Sequence, residues 1–130
     1  SKVSNWHYEY RYPLIAPLKT GQYQNIYAPN IVNNGATNFN IYFGGWDGVS
    51  SPHDSVSVTV TPNRFESFNT HTPQIATGVF DHVNNENAVK VNDTFWAMMY
   101  TVLPNGSNKN KPGYATSSNG VNWIPNSGNT

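Results

Sequence analysis

Apolar and polar residues alternate along most of this chain, and the period of the alternation is that of a strand. Trp6, Tyr8, Tyr10 and Tyr12 fall on one side of a period-two segment, with His7, Glu9 and Arg11 on the other, and Pro13 ends or edges it. The next strands are predicted over Ile26–Val32, over Phe39–Gly44 and around Val56, Val58 and Val60, which alternate with hydroxyl residues. Shorter runs follow at Phe65–Phe68 and Gln74–Thr77. Ala88–Val91, Phe95–Leu103 and Gly113–Ser117 continue the series, and Trp123 opens a last run. Asn33-Asn34-Gly35, Asn92-Asp93 and Asn119-Gly120 supply turns, because Asn and Gly accept the backbone conformations that tight turns require. No segment carries apolar residues at helical spacing, so the fold class is all-β.

The second half of this pattern restates the first. Ile31 aligns with Val89, Tyr42 with Met99, Val58 with Ala115 and Phe65 with Trp123, all at offsets of 57 or 58 residues. A repeat of four antiparallel strands at this length has the character of a β-propeller blade. The expected architecture is about two and a half blades, with an N-terminal strand and loop over 1–25 and blades over 26–78 and 79–130. A β-sandwich with similar hairpins is the alternative, although sandwiches rarely hold one offset over four strands. Such a partial ring is expected to be closed by further chain or by oligomerisation, as a dimer or a trimer.

Composition narrows the ligand class. Lys and Arg balance Asp and Glu at seven each, so there is no basic footprint for nucleic acid. No apolar run approaches the roughly 20 residues of a membrane span, and no membrane partner is expected. Polarity comes instead from amides and hydroxyls, with twenty Asn, beside an aromatic content of 14%. Amides donate and accept, and rings stack on sugar faces, which suits neutral hydroxylated ligands. The chain has no Cys, which excludes disulfides and thiolate chemistry. No cofactor or metal is implied. The N-terminus carries no signal-like apolar region, so any such peptide is expected to have been removed, with an extracellular or periplasmic location favoured.

Several motifs, taken in order, resemble those of the five-bladed β-propeller glycoside hydrolase clan of arabinanases, β-xylosidases and β-fructosidases. They are Tyr27-Ala28-Pro29-Asn30-Ile31-Val32, Ile41-Tyr42-Phe43-Gly44-Gly45-Trp46-Asp47-Gly48, His53-Asp54, Asn84-Asn85-Glu86-Asn87-Ala88-Val89-Lys90 and Gly113-Tyr114-Ala115-Thr116-Ser117-Ser118-Asn119-Gly120. The resemblance implies carboxylates at the starts of the innermost strands, around a central tunnel. At the two matching positions this chain has Asn30 and Asn85. An amide takes up no proton at neutral pH and serves as no general base, but it retains the capacity to hydrogen-bond a sugar.

Carboxylates that remain nearby are Glu86, Asp47 and Asp54, and a catalytic pair drawn from them is one reading. His53 and His82 are candidates for contacting sugar hydroxyls, and Trp46, in a Gly-rich stretch, is the candidate stacking platform. Trp96 and Trp123 fit core positions better. The candidate ligand-binding set is therefore Asn30, Trp46, Asp47, His53, Asp54, His82, Asn85 and Glu86. The preferred expectation is a non-catalytic carbohydrate-binding module, followed by a glycoside hydrolase with a rearranged carboxylate pair, and then by a purely structural piece.

Overall fold

The computed structural model describes residues 15, 19, 24–36, 38–46, 48, 55–61, 72–75 and 80–126. All regular structure among them is strand, arranged as two four-stranded antiparallel sheets in simple sequential order. The first sheet contains β1 (Asn25–Asn33), β2 (Phe39–Trp46), β3 (Ser55–Thr61) and β4 (Thr72–Ile75). The second contains β5 (Phe80–Asn92), β6 (Phe95–Pro104), β7 (Lys111–Ser117) and β8 (Trp123–Pro125). Both sheets are open rather than closed on themselves. The all-β expectation holds. The predicted strand at Trp6–Tyr12 and the run at Phe65–Phe68 lie outside the described residues.

The turns form where the amides predict them. Gly35 N donates to Asn33 Oδ1 at 2.8 Å, and Thr94 N donates to Asn92 Oδ1 at 2.9 Å. In both hairpins the Asn side chain imitates a backbone turn two residues long. Lys90 Nζ reaches Asp93 at 2.7 Å across the second hairpin, and this hydrogen bond together with the ammonium charge holds the exposed Asp93 carboxyl below its ordinary range.

The two sheets share one register. Tyr27 pairs with Gly44 and Asn30 with Tyr42, so Ala28 and Pro29 together face a single residue of β2. In the second sheet Asn84 pairs with Thr101 and Asn87 with Met99, and Asn85 and Glu86 form the same kind of bulge. Ala28 (φ 50) and Asn85 (φ 53), 57 residues apart, are the non-glycine residues of positive φ among the described residues. The bulges therefore superimpose, and they correct the alignment of the repeat. With Tyr42 set on Met99, the ladders place Ile31 on Ala88 and Val58 on Tyr114, each one residue from the partner that sequence pattern alone suggests. The fourth strand of the first sheet is Thr72–Ile75, and Phe65, the expected counterpart of Trp123, lies outside the described residues.

Period two assigns the faces. Trp96, Met98, Tyr100 and Val102 of β6 all point toward the first sheet and are buried. They meet Tyr42 and Val56 from the first sheet, with Val32 packed at the margin, while Ala88, Ala115 and Trp123 complete the cluster. Tyr42 and Trp123 meet edge to face at 5.7 Å. The contact is head to tail. The Tyr42 face of the first sheet packs on the Met98 face of the second, and by register Met98 corresponds to Ile41 on the opposite face of the first. Trp96 and Trp123 are core residues, as the pattern predicts.

One carbonyl ties the sheets together. Gly120 O accepts from Tyr42 Oη at 2.6 Å, from Asn40 Nδ2 at 3.2 Å and from Trp123 Nε1 at 3.2 Å. Ser117 Oγ accepts from Gly120 N at 2.9 Å and fixes the turn that presents this carbonyl. Gly120 has φ 72, and a Cβ there would lie 2.8 Å from Asn40 Nδ2 and 3.0 Å from the Trp96 ring, so both the backbone and the packing require glycine. Burial of the phenol pushes the Tyr42 pKa up to about 12, partly opposed by its hydrogen bond with Asn40. A second tie runs from Ala88 N to Asn30 Oδ1 at 2.8 Å.

Candidate functional site

A cleft of about 440 Å³ opens where the first strands of the two sheets begin, lined by Asn25, Tyr27, Trp46, His82 and Asn84. Its residues come in pairs. Asn25 and His82 occupy one position of the repeat, and Tyr27 and Asn84 another, each pair 57 residues apart. Trp46, at the end of β2, lies opposite Asn25 in the ladder, and its carbonyl accepts from Asn25 Nδ2 at 3.1 Å.

Local sequence explains how these groups are presented. Tyr27 lies directly across from Gly44, and a Cβ at Gly44 would collide with the Tyr27 ring. The absence of that Cβ lets the ring lie flat against β2, a cross-strand aromatic–glycine pairing. The bulge then begins at Ala28. Left-handed backbone costs a non-glycine L-residue roughly 1–2 kcal/mol, less for Asn, whose side chain bonds locally. The ladders on either side of the bulge hold Ala28 there, and strain of this kind concentrates at binding sites. The Tyr27 hydroxyl and the Asn84 side-chain oxygen are shielded from water.

The eight sequence-predicted residues separate. Trp46 and His82 line the cleft. Asn30 does not: its side-chain oxygen accepts from Ala88 N, and it acts as a clip between the sheets. Asn85 is exposed on the outer side of its bulge and lines a separate groove of about 380 Å³ with Asn87, Met99, Thr101, Lys111 and Pro112 among its walls. Glu86, the next residue, is only 4% exposed, because the bulge puts it in phase with Ala88 and so toward the first sheet. A carboxylate held from water in this way is tolerated only with compensating polar contacts. Asp47, His53 and Asp54 lie outside the described residues. Among the described residues no group of three or more His, Asp and Glu is arranged to hold a metal ion.

Asn25, Tyr27 and Asn84 line the cleft without having been singled out from the sequence. Their signal was present in the repeat itself, as polar or aromatic residues in the two positions ahead of each bulge, but it is readable only once the offset is fixed at 57. Chemically the described lining offers two amides, an imidazole, a phenol and an indole. These are hydrogen-bond donors and acceptors beside two aromatic faces, and none of the five is a carboxylate.

No protein-family model matches this chain, and no curated protein or solved structure matches it either. The likeness to the five-bladed hydrolase clan therefore rests on the order of the motifs alone.

Proposed function

We propose that this chain is a non-catalytic carbohydrate-binding module, that its two sheets are successive blades of a propeller, and that sugar binds in the cleft at the start of β1 and β5. The blade reading draws support from the shared register, the superimposed bulges and the head-to-tail packing of one sheet on the next. The observation that carries the binding reading is the cleft lining, in which Trp46 and Tyr27 stand beside Asn25, Asn84 and His82. Sites for sugars need apolar ring faces together with fixed hydrogen-bonding groups, and amides serve both as donors and as acceptors.

The test is binding of the purified chain to a panel of neutral oligosaccharides, followed by titration calorimetry with the best ligand. Trp46→Ala should weaken binding about tenfold or more, since loss of a stacked ring is worth on the order of 1–2 kcal/mol. An absence of binding to every sugar, or unchanged affinity in Trp46→Ala, overturns the proposal.

Hydrolysis is the second reading, and the burial of Glu86 favours it, because a carboxyl group sheltered from water is suited to act as an acid. It requires a second carboxyl group about 5–9.5 Å away. Activity on aryl glycosides that disappears in Glu86→Gln would favour this reading over the first.

A further inference from the structure

Three Asn-Gly pairs occur in the chain, beginning at Asn34, Asn105 and Asn119. In such a pair the glycine nitrogen can reach the asparagine side-chain amide carbon, and no Cβ on the glycine hinders the approach. Attack there displaces the side-chain amide and turns the residue into an acid. The surroundings decide which pair reacts, because the asparagine amide must turn and the glycine N–H must give up its proton.

Two of the three pairs are held. Asn119 Oδ1 accepts from Val121 N at 2.9 Å and from Asn122 N at 2.8 Å. Gly120 is buried, and its N–H is spent on Ser117 Oγ. Asn34 is half-buried, with Nδ2 donating to Asn40 Oδ1 at 3.2 Å and Oδ1 accepting from Lys90 Nζ at 3.4 Å. The Gly35 N–H is bound to Asn33 Oδ1 at 2.8 Å. Reaction at either pair first requires these bonds to open.

Asn105 differs in each respect. It lies in the turn between β6 and β7, closed by a bond from Ser107 N to Pro104 O at 3.0 Å. Asn105 and Gly106 are both exposed, and the Asn105 side chain makes no hydrogen bond among the described residues. A Cβ built at Gly106 would meet nothing within 4 Å, so the turn has room to move. The Gly106 N–H donates to Asp81 Oδ2 at 3.3 Å. A carboxylate in that place is set to take the proton that the attacking nitrogen must lose.

We propose that Asn105 is a site of spontaneous deamidation, the first of the three Asn-Gly pairs to react, with Asp81 as the proton acceptor. The Gly106 nitrogen bonds to Asn105 Cγ as the Cγ–Nδ2 bond breaks. The proton lost from Gly106 N passes through the Asp81 carboxylate to Nδ2, which leaves as ammonia. Water then opens the resulting succinimide at one of its two carbonyls. Opening at Cγ gives aspartate at position 105. Opening at the main-chain carbonyl gives isoaspartate, with the chain running through the side-chain carbon. Either product sets a new carboxylate beside that of Asp81, which directly precedes the cleft residue His82. Repulsion between the two carboxylates should loosen the turn.

The test is prolonged incubation of the folded chain at neutral pH, followed by tryptic digestion and mass spectrometry against an unincubated sample. Cleavage after Lys19, Arg64, Lys90 and Lys109 puts Asn34, Asn105 and Asn119 in three different peptides. Fragmentation separates Asn105 from Asn92 and Asn108 within its peptide. Acid should appear at position 105 at least about fivefold faster than at 34 or 119, the factor that one hydrogen bond contributes. In urea the three rates should converge. Asp81→Asn should slow the reaction at 105 severalfold and leave the other two rates unchanged, with circular dichroism checking that the variant is folded. A folded chain in which position 34 or 119 reacts as fast as 105 overturns the inference. An Asp81→Asn chain that reacts at the wild-type rate overturns the role of Asp81. Neither readout involves sugar, so the binding reading stands or falls separately.

Discussion

Tyr42 and Met99 occupy the same position in two sheets of the same register, yet Tyr42 is fully buried and Met99 is 59% exposed. The difference lies in what each sheet has beside it. The face around Tyr42 is covered by the second sheet, and its polar atoms are matched to the Gly120 carbonyl. The face around Met99 has no such cover among the described residues. The other face of the first sheet, bearing Ile41 and Phe43, is buried as well. The comparison also separates two kinds of Asn: Asn30 is a clip between sheets, whereas its counterpart Asn87 is exposed.

The sharpest way to break this comparison is to truncate both members of the pair. Tyr42→Ala should cost about 3–5 kcal/mol in urea unfolding, the range for removing a large buried ring. Met99→Ala, measured where the chain is monomeric, should stay within about 0.5 kcal/mol of wild type, as exposed substitutions do. Similar losses at the two positions would mean that Met99 is covered within the single chain.

Next in size is the junction between the sheets. Gly120→Ala combines a left-handed backbone with a Cβ close to Asn40 and Trp96, and should cost about 2–3 kcal/mol. The readout is the denaturation midpoint, and an unchanged midpoint would remove Gly120 from the contact.

Titration of Tyr42 gives an effect of similar or smaller size with a defined sign. The folded state keeps the Tyr42 proton up to about pH 12, whereas the unfolded chain releases it near pH 10. The contribution of the buried phenol is therefore fully present below pH 10 and is lost as pH rises through the folded value, by up to about 2 kcal/mol. Stability measured from pH 9 to pH 12 should fall more steeply in the wild-type chain than in Tyr42→Phe. Parallel slopes would show that Tyr42 is not the group responsible.

The smallest contrast is between the amides. Asn30→Ala should lose about 1 kcal/mol with the Ala88 hydrogen bond, while Asn87→Ala in the monomer should lose almost nothing. Chemical denaturation of both variants at low concentration checks this, and equal losses would contradict the assignment of Asn30 as the clip.

Much of the local structure was legible in the chain. Asn33-Asn34-Gly35 and Asn92-Asp93 turn where their side chains bond the backbone two residues on, an interaction set by neighbours in sequence. Trp96 and Trp123 read as core because they fall on apolar faces, and they are buried. The limits lie at the bulges. Alternation predicts a strand only from Ala88, but β5 begins at Phe80, because residues 81–87 are mostly polar and the bulge at Asn85 and Glu86 breaks period two. Because the same bulge occurs in both sheets, the offset is 57 before and after it, and Ile31 aligns with Ala88.

What the sequence determined by itself was local: the strands, the Asn turns, the repeat, and a supply of amides and aromatics suited to neutral polar ligands. These follow from side-chain period and short-range hydrogen bonds, which need no distant partner. Which faces are buried, which Asn is spent on the fold, and that Trp46 and His82 share a cleft with Tyr27, Asn25 and Asn84 were decided only by the tertiary structure. Each depends on one sheet lying against the other across more than fifty residues of chain. Equivalent residues of a repeat have the same backbone, but their surroundings depend on whether another sheet follows.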